Sequence, residues 1–139
     1  MTPAVNWLGG DEIEDQTGQC VRGRPGESAE LLHQDVGIIK KTDVPAGEYR
    51  WLTVVSPEGS QEIELVLEPN ANPAAAVYQK AIRDQGIPAT AFFVDDIHQE
   101  YKRLQALGVS FRGEPTKAGP VTIAIFDDTC GNLIQIVQV

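Results

Sequence analysis

The sequence predicts an α+β protein built from paired βαβββ modules, and three observations support this prediction. A strand and helix signal over residues 89–109 is followed by three further strand signals. A pattern of turn, glycine and strand occurs twice in the chain. The length of 139 residues is enough for one domain with a hydrophobic core. Residues 5–28, in contrast, show no strand period, so we expect the first module to lack its first strand and helix.

The clearest unit lies at residues 89–109. An apolar strand leads to Asp95 or Asp96 as helix cap, and Gly108 ends the helix. Four side chains recur at helical spacing on one stripe: Ile97, Tyr101, Leu104 and Leu107. Beyond the helix we expect a short strand at residues 109–112, a loop over 114–120, and strands over 121–127 and 133–139.

The preceding segment predicts a β-hairpin and a second helix. Residues 48–56 are rich in β-branched and aromatic side chains, residues 57–59 read PEG, and residues 62–69 alternate acidic and aliphatic side chains. Residues 72–86 combine a proline near the start, a run of alanines and a terminal glycine, which is typical of a short helix.

Two segments repeat, and they carry a resemblance to a known family. PEGSQEIELVL and TCGNLIQIVQ align residues 63–66 with residues 134–137. Together with FFVDDI and the following LGV, the stretch IFDDTCGNLIQIVQ resembles the second module of the vicinal oxygen chelate superfamily. This superfamily includes glyoxalase I, bleomycin-resistance proteins and extradiol dioxygenases. The resemblance covers about residues 40–139 and implies a curled sheet of the glyoxalase/bleomycin-resistance type, a fold that hosts many functions.

Residues 1–38 form an atypical N-terminal segment that does not match this pattern, and if the chain folds as written we expect it to be disordered or loosely attached. Read one base later, the codons of residues 17–37 permit LVSVFVDDQEKALNFYTKMLG, which parallels the chain's own FFVDDIHQEYKRLQALG. We hypothesise a compensated frameshift; codons that forbid this alternative text would exclude it. The alternative is an unusual natural N-terminus with a short helix at residues 27–34. If the chain folds as written, we expect exposed apolar surface on residues 62–69 and self-association.

Charge and composition exclude several classes of partner. The net charge of −9, with scattered Lys and Arg, disfavours nucleic acid and anionic membranes. Cys20 and Cys130 are too few for a disulfide framework, so we expect reduced thiols and a cytoplasmic location. No stretch approaches the ~18 apolar residues that a membrane span needs.

The family resemblance implies four places for metal ligands, usually a histidine at the start of each module and a glutamate on each last strand. Glu64 matches the first glutamate, whereas Gln135 occupies the second. Ala89 and Thr17 lie at the histidine places, and the shifted codon at Thr17 cannot encode histidine. An amide oxygen is a weaker partner for a divalent cation than a carboxylate is. We therefore expect no metal and no other cofactor.

The candidate site consists of Glu64, Gln135, Trp51 and Arg50. Glu64 would accept a hydrogen bond from a ligand or act as general base, with Gln135 orienting the ligand. Trp51 would stack on a ring and Arg50 would hold an anion. The simpler alternatives are that Glu64 lies on the solvent face, that Trp51 is a core or interface residue, and that Arg50 is an ordinary surface cation.

These observations predict a metal-poor protein that binds a small organic molecule and forms a homodimer. One alternative is a metal-dependent lyase, isomerase or dioxygenase of the same superfamily, with ligands shared across the dimer. Another is a damaged sequence without independent activity, which the N-terminal segment alone suggests.

Overall fold

The computed structural model describes residues 5–9, 37–57, 59, 60 and 62–139, and the side chains of residues 5–9, 49 and 50 lie outside this description. The strands form two four-stranded sheets. The first sheet contains β1 (Val5–Gly9), β2 (Ile39–Ala46), β3 (Tyr49–Val55) and β4 (Leu65–Pro69), in the order β1-β4-β3-β2. β1 runs parallel to β4, and the other pairs are antiparallel. The predicted hairpin of β3 and β4 is confirmed.

The second sheet repeats the same order. It contains β5 (Thr90–Phe93), β6 (Thr116–Ala118), β7 (Val121–Asp127) and β8 (Leu133–Gln138), in the order β5-β8-β7-β6. β5 is parallel to β8, and the other pairs are antiparallel. In both sheets the last strand of the module lies between its parallel first strand and an antiparallel strand, and one further antiparallel strand follows at the edge. The prediction of paired modules is therefore confirmed.

The expectation that the first module lacks its first strand is wrong. All five residues of β1 pair in parallel register with Leu65–Pro69. An edge strand obtains its hydrogen bonds from its neighbour, so five residues suffice even though the longer stretch around them shows no strand period. The first-module helix, the helix expected at residues 27–34 and the expected disorder fall on residues outside the described part of the chain.

Two further expectations require correction. The segment expected to be a loop contains β6, which pairs with the start of β7 through a turn where Gly119 has a φ of +65°. Gly119 enters the left-handed region without a steric penalty, so glycine and proline here close a hairpin. The strand expected at residues 109–112 is reduced to one isolated bridge between Phe111 and Phe126.

Both helices begin directly after a capping side chain, which the sequence predicted for the second helix as Asp95 or Asp96. α1 (Pro73–Asp84) begins after Asn72, whose side chain accepts a hydrogen bond from Ala74 N at 2.9 Å. α2 (Ile97–Ala106) begins after Asp96, which accepts from His98 N and Gln99 N. Of the predicted stripe, Ile97 and Leu104 are fully buried and Tyr101 is half-buried, whereas Leu107 is exposed because it is already the C-cap residue. Neither helix among the described residues is long and apolar enough to cross a membrane.

The hydrophobic core joins α2 to both sheets. Its members include Leu52, Val54, Leu67, Ile97, Leu104, Phe126, Ile134 and Ile136. Val66 and Leu67 are both buried although they point to opposite faces of β4, so this strand is covered on both sides. The apolar surface expected to be exposed on residues 62–69 is therefore limited to Ile63, which is 48% exposed.

A network of buried polar groups fastens α1 to the turn between β7 and β8. The buried carboxylate of Asp128 accepts from Cys130 N at 2.8 Å, Asn132 N at 2.7 Å and Asn132 Nδ2 at 2.6 Å. Gln79 Nε2 donates to Cys130 O at 3.1 Å and Asn132 Oδ1 at 2.9 Å. Burial raises the pKa of the Asp128 carboxyl, and the hydrogen bonds from Asn132 and Cys130 offset part of that rise. We call these four residues the turn network.

Gly131 provides a test of the turn network. Its φ is +98°, and an added Cβ would lie 3.1 Å from Gln79 Nε2. We expect Gly131→Ala to lower the free energy of unfolding by about 1–2 kcal/mol, the cost of placing a residue with a Cβ in the left-handed region, and by a further amount because the Cβ displaces Gln79 from its hydrogen bonds. Urea denaturation measures this change. Gly108→Ala is the control, because Gly108 also has a positive φ, +93°, but nothing lies within 4 Å of its Cβ position; equal stability of the two variants would contradict the role of the network.

Candidate functional site

Each sheet has one face that joins the hydrophobic core and an opposite face. In the second sheet Ile134 and Ile136 belong to the core. Gln135 lies between them on β8, so its side chain is directed to the opposite face, where its strand neighbours are Ala91 and Ile125. In the first sheet Val54 belongs to the core, and Thr53 is directed to the opposite face.

Glu64 lies immediately before β4 and forms an ion pair with Lys41. Lys41 Nζ is 2.7 Å from Glu64 Oε1, and the two side chains are 37% and 32% exposed. Lys41 lies in β2 where the pairing register with β3 shifts between Lys40 and Thr42. A bulge of this kind redirects a side chain relative to regular alternation. Lys41 therefore contacts the Glu64 carboxylate, although no pattern in the sequence indicates that these two residues form a pair.

The environment of Glu64 keeps its carboxylate charged. The hydrogen bond from Lys41 is the main cause that lowers the pKa of Glu64, the hydroxyl of Thr53 lowers it further, and partial burial opposes both. Thr53 Oγ1 is buried and has no hydrogen bond of standard geometry among the described residues, so its influence on Glu64 comes from proximity.

The described residues at the ligand places of the family do not fit a divalent metal site. Glu64 is neutralised by Lys41, Gln135 offers a neutral amide, and Ala89 offers no donor in its side chain. Ala89 uses its backbone N to donate to Leu133 O at 2.8 Å, which holds the entry of β5 against β8. In the described part of the chain, no group of three or more His, Cys, Asp or Glu side chains is placed to hold a metal ion.

A cleft of about 730 Å³ opens between the two modules. Its apolar wall includes Ile63, Leu65, Phe92, Phe93 and Ile136. Glu64 and the small residues of the connection between β3 and β4 form one side. The first turns of α2 and the residues just before them form the other side, with the charged side chains Asp95, Asp96, Glu100 and Arg103.

The four predicted site residues are not all brought together here. Glu64 lines the cleft, whereas Gln135 and Trp51 are not among its described lining residues. Trp51 is 47% exposed and pairs across the strands with Val44 of β2. The side chain of Arg50 is outside the description. The ligand-binding roles of all four residues, including that of Glu64, therefore stay predictions.

Sequence reasoning missed the side of the cleft formed by β5 and α2. The pair Asp95 and Asp96 was interpreted only as alternative helix caps. Because a helix needs only one capping residue, the other aspartate of the pair can interact with other groups. This surplus aspartate is the feature of the sequence that could have indicated this side of the cleft. Phe92 and Phe93 fall within a predicted strand, but the sequence does not show that this strand, β5, lies at the edge of its sheet.

Comparison with known proteins supports the same family. A family model described as the Glyoxalase/Bleomycin resistance protein/Dioxygenase superfamily matches residues 10–136. The uncharacterized protein YurT of Bacillus subtilis (strain 168) is 60% identical over 109 residues, which is 78% of this chain and 86% of YurT. The chain therefore belongs to the Glyoxalase/Bleomycin resistance protein/Dioxygenase superfamily. The matched region also reaches into the N-terminal segment that the sequence analysis set apart.

Solved structures agree with this assignment. The crystal structure of UcmS2 superposes with a TM-score of 0.71 at 25% identity, covering 99% of this chain and 98% of UcmS2. TnmS3, an antibiotic binding protein from Streptomyces sp. CB03234, superposes with a TM-score of 0.65 at 21% identity, covering 99% of this chain and 96% of TnmS3. The second likeness concerns the fold alone. The predicted fold class and superfamily are confirmed.

The ion pair at Glu64 predicts a pH effect. Because the pKa of Glu64 is lowered by folding, the pair stabilises the protein above the unfolded pKa, and this contribution is lost as the pH falls through the folded pKa. We expect Lys41→Met to raise the pKa of Glu64, as measured by the pH dependence of its Cδ chemical shift in NMR. The matched control is Lys40→Met, since Lys40 pairs with Asp43 instead. A Glu64 pKa that is identical in both variants would show that Lys41 is not its partner in solution.

Proposed function

We propose that this chain is a metal-poor, small-molecule-binding member of its superfamily and that it binds an organic ligand in the cleft beside Glu64. The observation that supports this function most directly is the combination of an apolar cleft with a carboxylate that Lys41 holds in its charged form. The cleft volume lies within the roughly 300–1,000 Å³ typical of ligand pockets. Such pockets are mainly apolar and contain a few polar groups that fix the orientation of the ligand.

The protonation state of Glu64 favours binding over catalysis. A general base is most effective when its pKa lies near the working pH. The pKa of Glu64 is instead lowered by Lys41, which makes the carboxylate a weaker base and a constant hydrogen-bond acceptor. We therefore assign Glu64 the role of an anchor for ligand donors, and general-base catalysis by this residue is the less favoured role.

Two features of the family support a binding role of this kind. TnmS3, which shares the fold, is described as an antibiotic binding protein. Binding by shape and hydrogen bonding also requires no conserved reaction chemistry, which suits a fold with many functions. A cytoplasmic homodimer without nucleic acid or membrane partners is part of the same proposal, and the net charge of −9 supports the exclusion of polyanions.

The alternative function is a metal-dependent lyase, isomerase or dioxygenase that completes its site with ligands from a second subunit. The retained glutamate at position 64 favours this alternative. The ion pair with Lys41 opposes it, because a metal would have to displace the lysine.

Metal content separates the two functions. We expect protein from cells grown with added zinc, nickel, manganese and iron to carry far less than one metal per chain after gel filtration, as measured by elemental analysis. Treatment with a chelator should leave the melting temperature unchanged, since no folding energy would come from a metal. About one tightly held metal per chain would instead support the enzyme.

Occupation of the cleft by an organic molecule is tested with acridone, an uncharged planar probe. We expect Phe93→Ser to weaken acridone binding about fivefold in a calorimetric titration, because the variant removes apolar surface from the cleft wall. Phe93 is 73% exposed, so its replacement should not disturb the core. Ile87→Ser is the control, since Ile87 is an exposed apolar residue outside the lining of the cleft. Equal loss of binding in both variants would place the probe elsewhere.

A further inference from the structure

We propose that the ligand of the cleft is an organic cation, an ammonium or guanidinium group carried on an apolar body, with Asp95 as its main electrostatic partner. This inference rests on the proposed binding function and adds the charge of the ligand. It follows from the charges of the described lining residues, from the bonds that these charges already make, and from the aromatic side chains that line the same cleft.

The charges that the described residues bring to the cleft are mostly negative. Four carboxylates, from Glu64, Asp95, Asp96 and Glu100, and one cation, Arg103, are among the described lining residues. Glu64 is paired with Lys41 at 2.7 Å. Glu100 accepts two bonds from Arg103, at 2.8 Å and 2.6 Å. Once these two pairs are set aside, Asp95 and Asp96 remain without a compensating cation among the described residues.

The two aspartates are not equivalent. Asp96 is fixed as the cap of α2 because its Oδ1 accepts from the backbone N–H groups of His98 and Gln99. Asp95 is exposed at the cleft and makes no hydrogen bond or ion pair with the described part of the chain. Asp95 is therefore the carboxylate whose interactions remain available to a ligand.

The position of Asp95 at a helix N-terminus weakens the attraction but does not reverse it. The N-terminal end of a helix carries the equivalent of about half a positive charge. Two aspartates adjoin this end, so their combined charge exceeds the helix term. An anionic ligand would meet both carboxylates, and the overall charge of −9 would oppose its approach.

The apolar wall of the cleft suits the body of an organic cation. Phe92 and Phe93 belong to β5, which forms an edge of the second sheet, and both line the cleft beside Ile63 and Leu65. An aromatic face attracts a cation through its quadrupole and also packs against a planar body. A metal ion or a hydrated inorganic cation would gain nothing from this apolar wall.

Three planar probes test the inference by titration calorimetry: proflavine, which is a cation, acridone, which is uncharged, and anilinonaphthalene sulfonate, which is an anion. We expect proflavine to bind at least about threefold more tightly than acridone, the size of one exposed charge interaction, and the anion to bind most weakly. Asp95→Asn should remove the advantage of proflavine and leave acridone binding unchanged. Asp84→Asn is the matched control, because Asp84 is a surface carboxylate on α1 that pairs with Lys80 outside the cleft. Added salt should weaken proflavine binding alone.

The possible outcomes distinguish this inference from the function on which it rests. If acridone and proflavine bind equally well, or if Asp95→Asn and Asp84→Asn weaken proflavine equally, the cation preference is overturned and the small-molecule cleft stands. If none of the three probes binds at millimolar concentration, both proposals are contradicted. Preference for the anion would also overturn the inference.

Discussion

The last strand of each module is the element on which the rest of the structure depends. β4 and β8 each bond to a parallel strand on one side and an antiparallel strand on the other, so they hold their sheets together. Such central strands must be apolar on the face that joins the core, and β8 meets this demand with Ile134 and Ile136. Glu64 and Gln135 are therefore fixed in place by strands that cannot shift register without exposing the core.

The bulge in β2 determines which cation contacts Glu64 in the first module. A regular strand would alternate strictly, whereas the shift between Lys40 and Thr42 brings the ammonium group of Lys41 to the Glu64 carboxylate. The ammonium group of Lys41 therefore balances the charge of this carboxylate, which a bound metal ion would otherwise have to balance. In the second module the corresponding residue is Gln135, whose side chain is uncharged and therefore needs no compensating cation.

Local patterns in the sequence predicted most of the fold but less of the site. The cap Asp96, the start of α1 near its proline and the strand Val121–Asp127 follow from short-range rules of periodicity and capping, and the paired modules follow from the internal repeat. β1 escaped prediction because a five-residue edge strand takes its order from β4, which is about sixty residues distant in sequence. The pair of Lys41 with Glu64 escaped for the same reason: a bulge and a long-range contact leave no periodic signal in either segment. The cleft is formed by residues of both modules, so its position depends on how the modules pack, which local sequence patterns do not reveal.

The two hairpin connections that the repeat identifies have taken different roles. Between β7 and β8, the buried Asp128 and Asn132 use their polar groups to close the turn and to hold Gln79 of α1. A change in this connection leaves a buried donor or acceptor unsatisfied and costs stability. Between β3 and β4, Ser56 and Ser60 are exposed and form part of the cleft wall. Exposed connections tolerate substitution, so this loop can alter the shape of the cleft while the turn network keeps the second module intact. The division places structural constraint in the β7–β8 copy of the repeat and leaves the β3–β4 copy freer to vary.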